Sequence, residues 1–202
     1  MKIKKPTKIR YPEHEKKYRW LKMLLDAYHT NNIGIYNELK VEGKNRKEKI
    51  ACHEGCHECC LKYDVPACQI EIAGISWFVS EIIIEPELRE ILNTQLKNHK
   101  NSLQCPFLVE GSCSIYPLRP FACREYFVFG DPCKKNEDAI RTRPDSVWGP
   151  SRTVARKTSL KILPYFGFET ESEKSEAFEN GFVHNNSNSM HEYDWKRIAQ
   201  TM

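Results

Sequence analysis

The sequence predicts a small, irregular α+β domain, mainly helical, with one short hairpin. Three observations predict it. Apolar residues recur at helical spacing through much of the amino-terminal half; two short apolar runs flank Glu110-Gly111-Ser112; and two groups of cysteines lie in segments without apolar periodicity. With 202 residues the chain is long enough for a core, but 40% hydrophobic and 29% charged residues make that core lean. The longest apolar candidate, residues 70–84, is interrupted by Glu71, Ser76, Ser80 and Glu81, so no bilayer span is expected. The start, Met1-Lys2-Ile3-Lys4-Lys5-Pro6, has the basic residues of a secretory leader without the apolar stretch that follows them, and a cytoplasmic location is expected.

Residues 1–12 read as a loose basic arm ending at Pro12. From Glu13 the positions Leu21, Leu24, Leu25 and Tyr28 fall on one helical face, flanked by Trp20. Asn31-Asn32-Ile33-Gly34 predicts the end of that helix, because these residues tolerate left-handed backbone. A second, more polar helix is expected from Ile35 to about Lys49. Gln69 to Ile83, with Ile72, Ile75, Val79, Ile82 and Ile83, suits a helix packed on two sides, and Glu85-Pro86 breaks it. Pro86 then opens another helix whose face is Leu88, Ile91, Leu92 and Leu96. Cys105 to Tyr116 predicts the hairpin. Pro117 and Pro120 hold Arg119 in an extended segment before Cys123. From Arg141 the chain is polar, anchored by Trp148, Leu160, Ile162, Leu163, Tyr165 and Phe166, and residues 170–194 read as a weakly ordered tail. The expected organisation is therefore a basic arm and helix over 1–34, a cysteine-rich domain over 35–140, and a polar extension over 141–202.

Charge is unevenly spread: residues 1–50 carry 14 Lys and Arg against 6 Asp and Glu, and the remainder 17 against 21. A basic amino-terminal third could meet an acidic protein partner, but no interleaving of arginine with aromatics suggests base stacking, and nucleic acid is not expected.

The chemistry lies in the cysteines. Cys52, Cys56, Cys59 and Cys60 fall within nine residues, and Cys105, Cys113, Cys123 and Cys133 follow. In a reducing compartment such a cluster points to metal binding rather than disulfides, and an odd total of nine with a vicinal pair fits a disulfide framework poorly. Four thiolates satisfy tetrahedral zinc, or an iron–sulfur cluster, and the spacing does not choose between them. Eight thiols permit one centre with spares, or two. Cys52-x3-Cys56-x2-Cys59 reproduces the spacing of radical S-adenosylmethionine enzymes, but the chain lacks the strand–helix alternation of their barrel and has Glu58 where an aromatic is usual. Buried thiolate charge needs cationic or hydrogen-bonding neighbours, and Lys62, Arg119 and Arg124 adjoin the cysteines. His53 and His57 are read as neighbours of the site rather than ligands, and Cys68, alone at a helix start, as a small buried hydrophobe.

The Cys-x3-Cys-x2-Cys-Cys loop resembles the YkgJ-like cysteine-cluster family (CxxCxxCC). So do Cys105-Pro106-Phe107-Leu108, Gly111-Ser112-Cys113-Ser114-Ile115-Tyr116 and Leu118-Arg119-Pro120-Phe121-Ala122-Cys123-Arg124. The resemblance covers about residues 35–135. It implies that Cys52, Cys56, Cys59, Cys60, Cys105, Cys113 and Cys123, and less firmly Cys133, belong to a zinc- or iron-chelating cluster, with an iron–sulfur oxidoreductase as one expectation. Flagellin lysine N-methylases resemble the same family, which adds methyl transfer to protein lysine as a further expectation. A structural zinc module that binds a partner is the remaining alternative.

Overall fold

The computed structural model describes residues 4–53, 55–61 and 64–200. Pro12 opens a short helix, α1 (Pro12–Lys17), and Tyr18, extended at φ −119° and ψ 94°, turns the chain into α2 (Arg19–Asn45). The predicted face of α2 is its buried one: Leu21, Leu24, Leu25 and Tyr28 are all inaccessible to solvent or nearly so.

The expectation of two helices meeting at Asn31–Gly34 is corrected. Asn31 to Gly34 do not end the helix, which runs unbroken for 27 residues through position 34. These residues serve a helix crossing instead. The Asn31 amide is fully buried and donates to Glu125 Oε1 at 2.5 Å. A Cβ on Gly34 would lie 2.6 Å from a methyl of Val154, so glycine lets α2 and a later helix approach.

After the first cysteine loop come β1 (Pro66–Cys68) and α3 (Gln69–Trp77), which ends in a π turn over Phe78–Ile82 and delivers Pro86 to the start of α4 (Pro86–Asn98). The hairpin forms as predicted: β2 (Leu108–Val109) pairs antiparallel with β3 (Ser112–Cys113). Glu110 and Gly111 both take positive φ in its turn (49° and 74°), as a two-residue connection requires. A short helix, α5 (Phe121–Arg124), precedes β4 (Phe127–Val128). Next come α6 (Ala139–Thr142) and β5 (Val147–Trp148), which pairs with β4, then α7 (Arg152–Ile162), packed along α2.

The second correction concerns residues 170–194. They are not a weakly ordered tail but α8 (Glu171–Glu179), α9 (Phe182–Asn185) and β6 (Ser187–Ser189), followed by α10 (Trp195–Ala199). Thr170 and Glu173 cap α8 reciprocally, and β6 pairs with β1. Trp195, fully buried, meets Phe107 edge-on at 5.0 Å and donates its indole N–H to the Met190 carbonyl. Acidic, asparagine-rich composition hid these few large anchors.

The molecule is thus mainly helical with two-stranded sheets. Its main core draws on α2, α3, α4, the hairpin and α10, and a satellite cluster of Ile35, Leu39 and Phe129 is flanked by Ile50, Phe127 and Trp148.

Candidate metal centre

The first cysteine loop is built from consecutive turns, the last of them a 3-10 turn over Glu58–Cys60. Cys56 N–H donates to the His53 carbonyl (3.0 Å), Cys60 N–H to His57 (2.8 Å) and Leu61 N–H to Glu58 (3.2 Å), with Gly55 at φ +82°. His53 and His57 turn their Nδ1 atoms onto the carbonyls of Ala51 (3.0 Å) and Gly55 (2.8 Å), so each imidazole stiffens the loop that carries it.

Neighbouring segments grip this loop on two sides. On one, Cys105 N–H donates to the Cys60 carbonyl at 2.8 Å, and the His57 ring packs closely on Gly111, 3.3 Å from where a Cβ would lie. On the other, Ile50 bridges to Phe129, Ala51 N–H reaches the Val128 carbonyl (2.8 Å), and Val128 N–H points at Cys52 Sγ (3.4 Å). Asn136 N–H donates to Glu58 Oε2 at 3.0 Å. The hairpin and the 127–137 segment therefore bring the second cysteine group to both edges of the first.

Cys105 and Cys113 lie at the two feet of the hairpin, and Cys123 sits on α5. The start of α5 is set by Glu71, a fully buried carboxylate that accepts Phe121 N–H (2.7 Å) and Cys68 N–H (2.9 Å) and so ties α5 to α3. Burial pushes the Glu71 carboxyl above its ordinary range, opposed by these N–H donors. Burial also raises the thiols. Cys105 is pushed up to about 12, with the Cys113 and Cys59 sulfurs adding to the effect. Cys123 is pushed up by burial and then by Cys105, Cys113 and Cys59. Cys52 rises to about 11 through burial, resisted by Val128 N–H and reinforced by Cys56, Cys59 and Cys133. Cys59 is raised first by its contact with the Cys60 thiol; the residue is exposed overall, but its sulfur faces that neighbour.

The arginines divide the work. Arg119 lies over the Tyr116 ring at 4.1 Å, and its buried Nε has no hydrogen-bond acceptor. Its charge lowers the thiol ranges of Cys113 and Cys123. Arg124, 3% exposed, spends its donors on backbone and on α2: Nε to the Arg119 carbonyl (2.8 Å), Nη2 to the Pro117 carbonyl (2.5 Å) and Nη1 to Asn32 (3.3 Å), with its plane 3.9 Å over Tyr28. It locks the turn that carries Arg119 and reaches the thiols by charge alone. Lys62 lies outside the described residues.

Sequence reasoning missed Arg143. Its Nη2 points at Cys133 Sγ at 3.6 Å, its Nη1 donates to the Asp131 carbonyl (2.7 Å) and its Nε to Glu137 (2.9 Å). Glu137, held down to about 2 by Lys134 N–H, Thr142 and Arg143, is the fixed anion that orients this guanidinium. Ten residues separate Arg143 from Cys133, and nothing local in the sequence marks the pairing. Tyr126 was also missed. Its phenol is raised by burial and by the thiols of Cys133 and Cys59, Asp138 and Cys52.

Among the described residues, no three His, Cys, Asp or Glu side chains already converge as ligands of one ion. The donor set nonetheless fits a soft metal. Thiols kept neutral by burial and by one another would become thiolates on binding, and an unpartnered buried guanidinium N–H stands ready for the added negative charge. The fold and these side chains define a cysteine-rich thiolate-donor domain. Residues 51–146 match the model of the CxxCxxCC family, described as "Putative zinc- or iron-chelating domain". That match supports metal binding by this segment. No curated protein and no solved structure matches the chain. No helix among the described residues is long and apolar enough to cross a membrane.

Proposed function

We propose that the chain holds zinc or an iron–sulfur cluster through thiols drawn from both cysteine groups, Cys52, Cys56, Cys59 and Cys60 with Cys105, Cys113, Cys123 and Cys133. The observation that carries this reading is the grip on the first loop: the Cys105 amide bonds Cys60 on one edge, and the Val128 amide and the 131–137 turn hold Cys52 and Glu58 on the other. Bound zinc would supply a closed structural tetrahedron, and a bound iron–sulfur cluster a one-electron centre. The chain's own residues bury the thiols of Cys105, Cys113 and Cys123 and offset part of the charge they would carry. Arg119 offers a free donor, Arg143 faces Cys133, and Arg124 fixes the turn behind Arg119.

Protein purified without oxygen decides the metal. A brown chain with iron and inorganic sulfide assigns a redox-capable cluster, and a colourless chain with stoichiometric zinc assigns a structural site. A chain that emerges folded with neither metal, and takes up neither when offered, overturns the reading.

A further inference from the structure

Resting on that reading, we propose that the eight thiols form two separate metal centres. One is built on the hairpin side from Cys105, Cys113 and Cys123, the other on the β4 side from Cys52, Cys56 and Cys133. The adjacent pair Cys59 and Cys60 lies between them and gives one thiol to each.

The two triplets rest on different parts of the molecule. Cys105, Cys113 and Cys123 pack against the main core, whereas the segments bearing Cys52 and Cys133 lie against the satellite cluster of Ile35, Leu39 and Phe129. Their backbone ties are equally distinct. The hairpin triplet is fixed by Leu108 N–H to the Cys105 carbonyl (3.1 Å), by the pairing of Leu108 with Cys113, and by Cys123 N–H to Pro120 (3.0 Å). The β4 triplet is fixed by Val128 N–H to Cys52 Sγ and by the anchoring of Arg143 to Asp131 and Cys133.

Each side also has its own cation: Arg119, between Cys113 and Cys123 in the chain, lies over Tyr116 with a buried Nε that has no acceptor, and Arg143 points its Nη2 at Cys133 Sγ at 3.6 Å. The electrostatic neighbours follow the same line. Cys123 feels Cys105 and Cys113, Cys105 feels Cys113, and all three feel Cys59; Cys52 feels Cys56, Cys59 and Cys133, and Cys133 feels Cys56. The Cys59 sulfur touches that of Cys60 and acts on both sets, which is the position of a junction. Four thiolates complete a tetrahedral ion. Three on each side plus one from the pair make two complete sets, and a guanidinium on each side offsets part of the charge.

The test is metal stoichiometry on the full chain. Anaerobic titration of the metal-free protein with Co(II), followed by its thiolate charge-transfer absorbance, is expected to break at about two equivalents, with about four thiolates per ion. Cys123→Ser and Cys133→Ser should each remove about half of the signal while keeping the other half, and the double variant should bind none tightly. A break at one equivalent, or loss of the whole signal from either single variant that keeps its helical circular dichroism, overturns the division while leaving the metal reading in place. A chain that takes up no Co(II) removes both. If a serine variant does not fold, the break point of the unmodified chain still decides the number of centres.

Discussion

Arg119 shows how much a single side chain can carry at this site. Its guanidinium is stacked on Tyr116, its Nε is buried without an acceptor, and its own carbonyl is held by Arg124. A positive charge beside Cys113 and Cys123 favours their thiolate forms, so removing it raises those thiols further and lets protons compete with metal at higher pH. Arg119→Gln is therefore expected to lose metal on acidification at a higher pH than the unmodified chain, with little change in circular dichroism. A pH titration with a colorimetric chelator checks it, and coincident release curves would remove Arg119 from the site.

Glu125 makes the opposite case, a residue near the site that titrates for structural reasons. Burial pushes its carboxyl up to about 7, with the Asn31 amide opposing. A carboxyl raised in the folded state stabilises below its unfolded value, near 4.5, and that stabilisation is lost as pH rises through the folded value. Glu125→Gln, which keeps an acceptor for Asn31, should therefore gain stability at pH 8, by about 2–3 kcal/mol. The gain should shrink toward pH 5. Urea unfolding of the two proteins at matched metal content measures it, and a pH-independent difference would refute the assignment.

At the scale of elements, the crossing of α2 and α7 is the sharpest test of packing. Alanine in place of glycine inside a helix normally gains about 1 kcal/mol. At Gly34 the new methyl would meet the Val154 side chain at 2.6 Å, and overpacking of that kind costs about 1–3 kcal/mol. The clash should win: Gly34→Ala is expected to destabilise the protein, and adding Val154→Ala should recover much of the loss. A Gly34→Ala protein that melts higher than its parent would contradict the crossing.

The same element shows what the sequence could and could not convey. Its apolar face was legible because helical spacing records which residues face the core. Its length was not, because asparagine and glycine are written the same way whether they end a helix or admit a neighbour, and only Glu125 and Val154, far along the chain, decide which. The hairpin was legible for a local reason, since Glu-Gly between short apolar runs demands the positive φ values it adopts. Cysteine spacing made the thiols legible, but Arg143 and Glu71 act across the fold and leave no local mark. Residues 170–194 were misread because Met190 and Trp195, the anchors that fix them, are outnumbered by polar neighbours.

In the whole molecule, the described residues of the first cysteine loop, 51–61, include no buried side chain, and their backbone is held by hydrogen bonds to loop carbonyls. A thiolate site can contribute on the order of 10 kcal/mol of apparent folding free energy. Metal is thus expected to order the loop, the hairpin and the 127–137 segment together, while the α2–α7 crossing and the α4–α10 contact hold without it. Cys68, fully buried beside Glu71 and away from the gripped loop, is the internal control. The most direct measurement is differential alkylation of the native protein, with each cysteine located by mass spectrometry before and after anaerobic removal of metal. Cys52, Cys56, Cys59 and Cys60 should be protected together with Cys105, Cys113, Cys123 and Cys133 in the loaded chain. Both groups should become reactive when metal is withdrawn, while Cys68 stays protected until the protein unfolds. Protection and release confined to one of the two groups would contradict a site assembled from both.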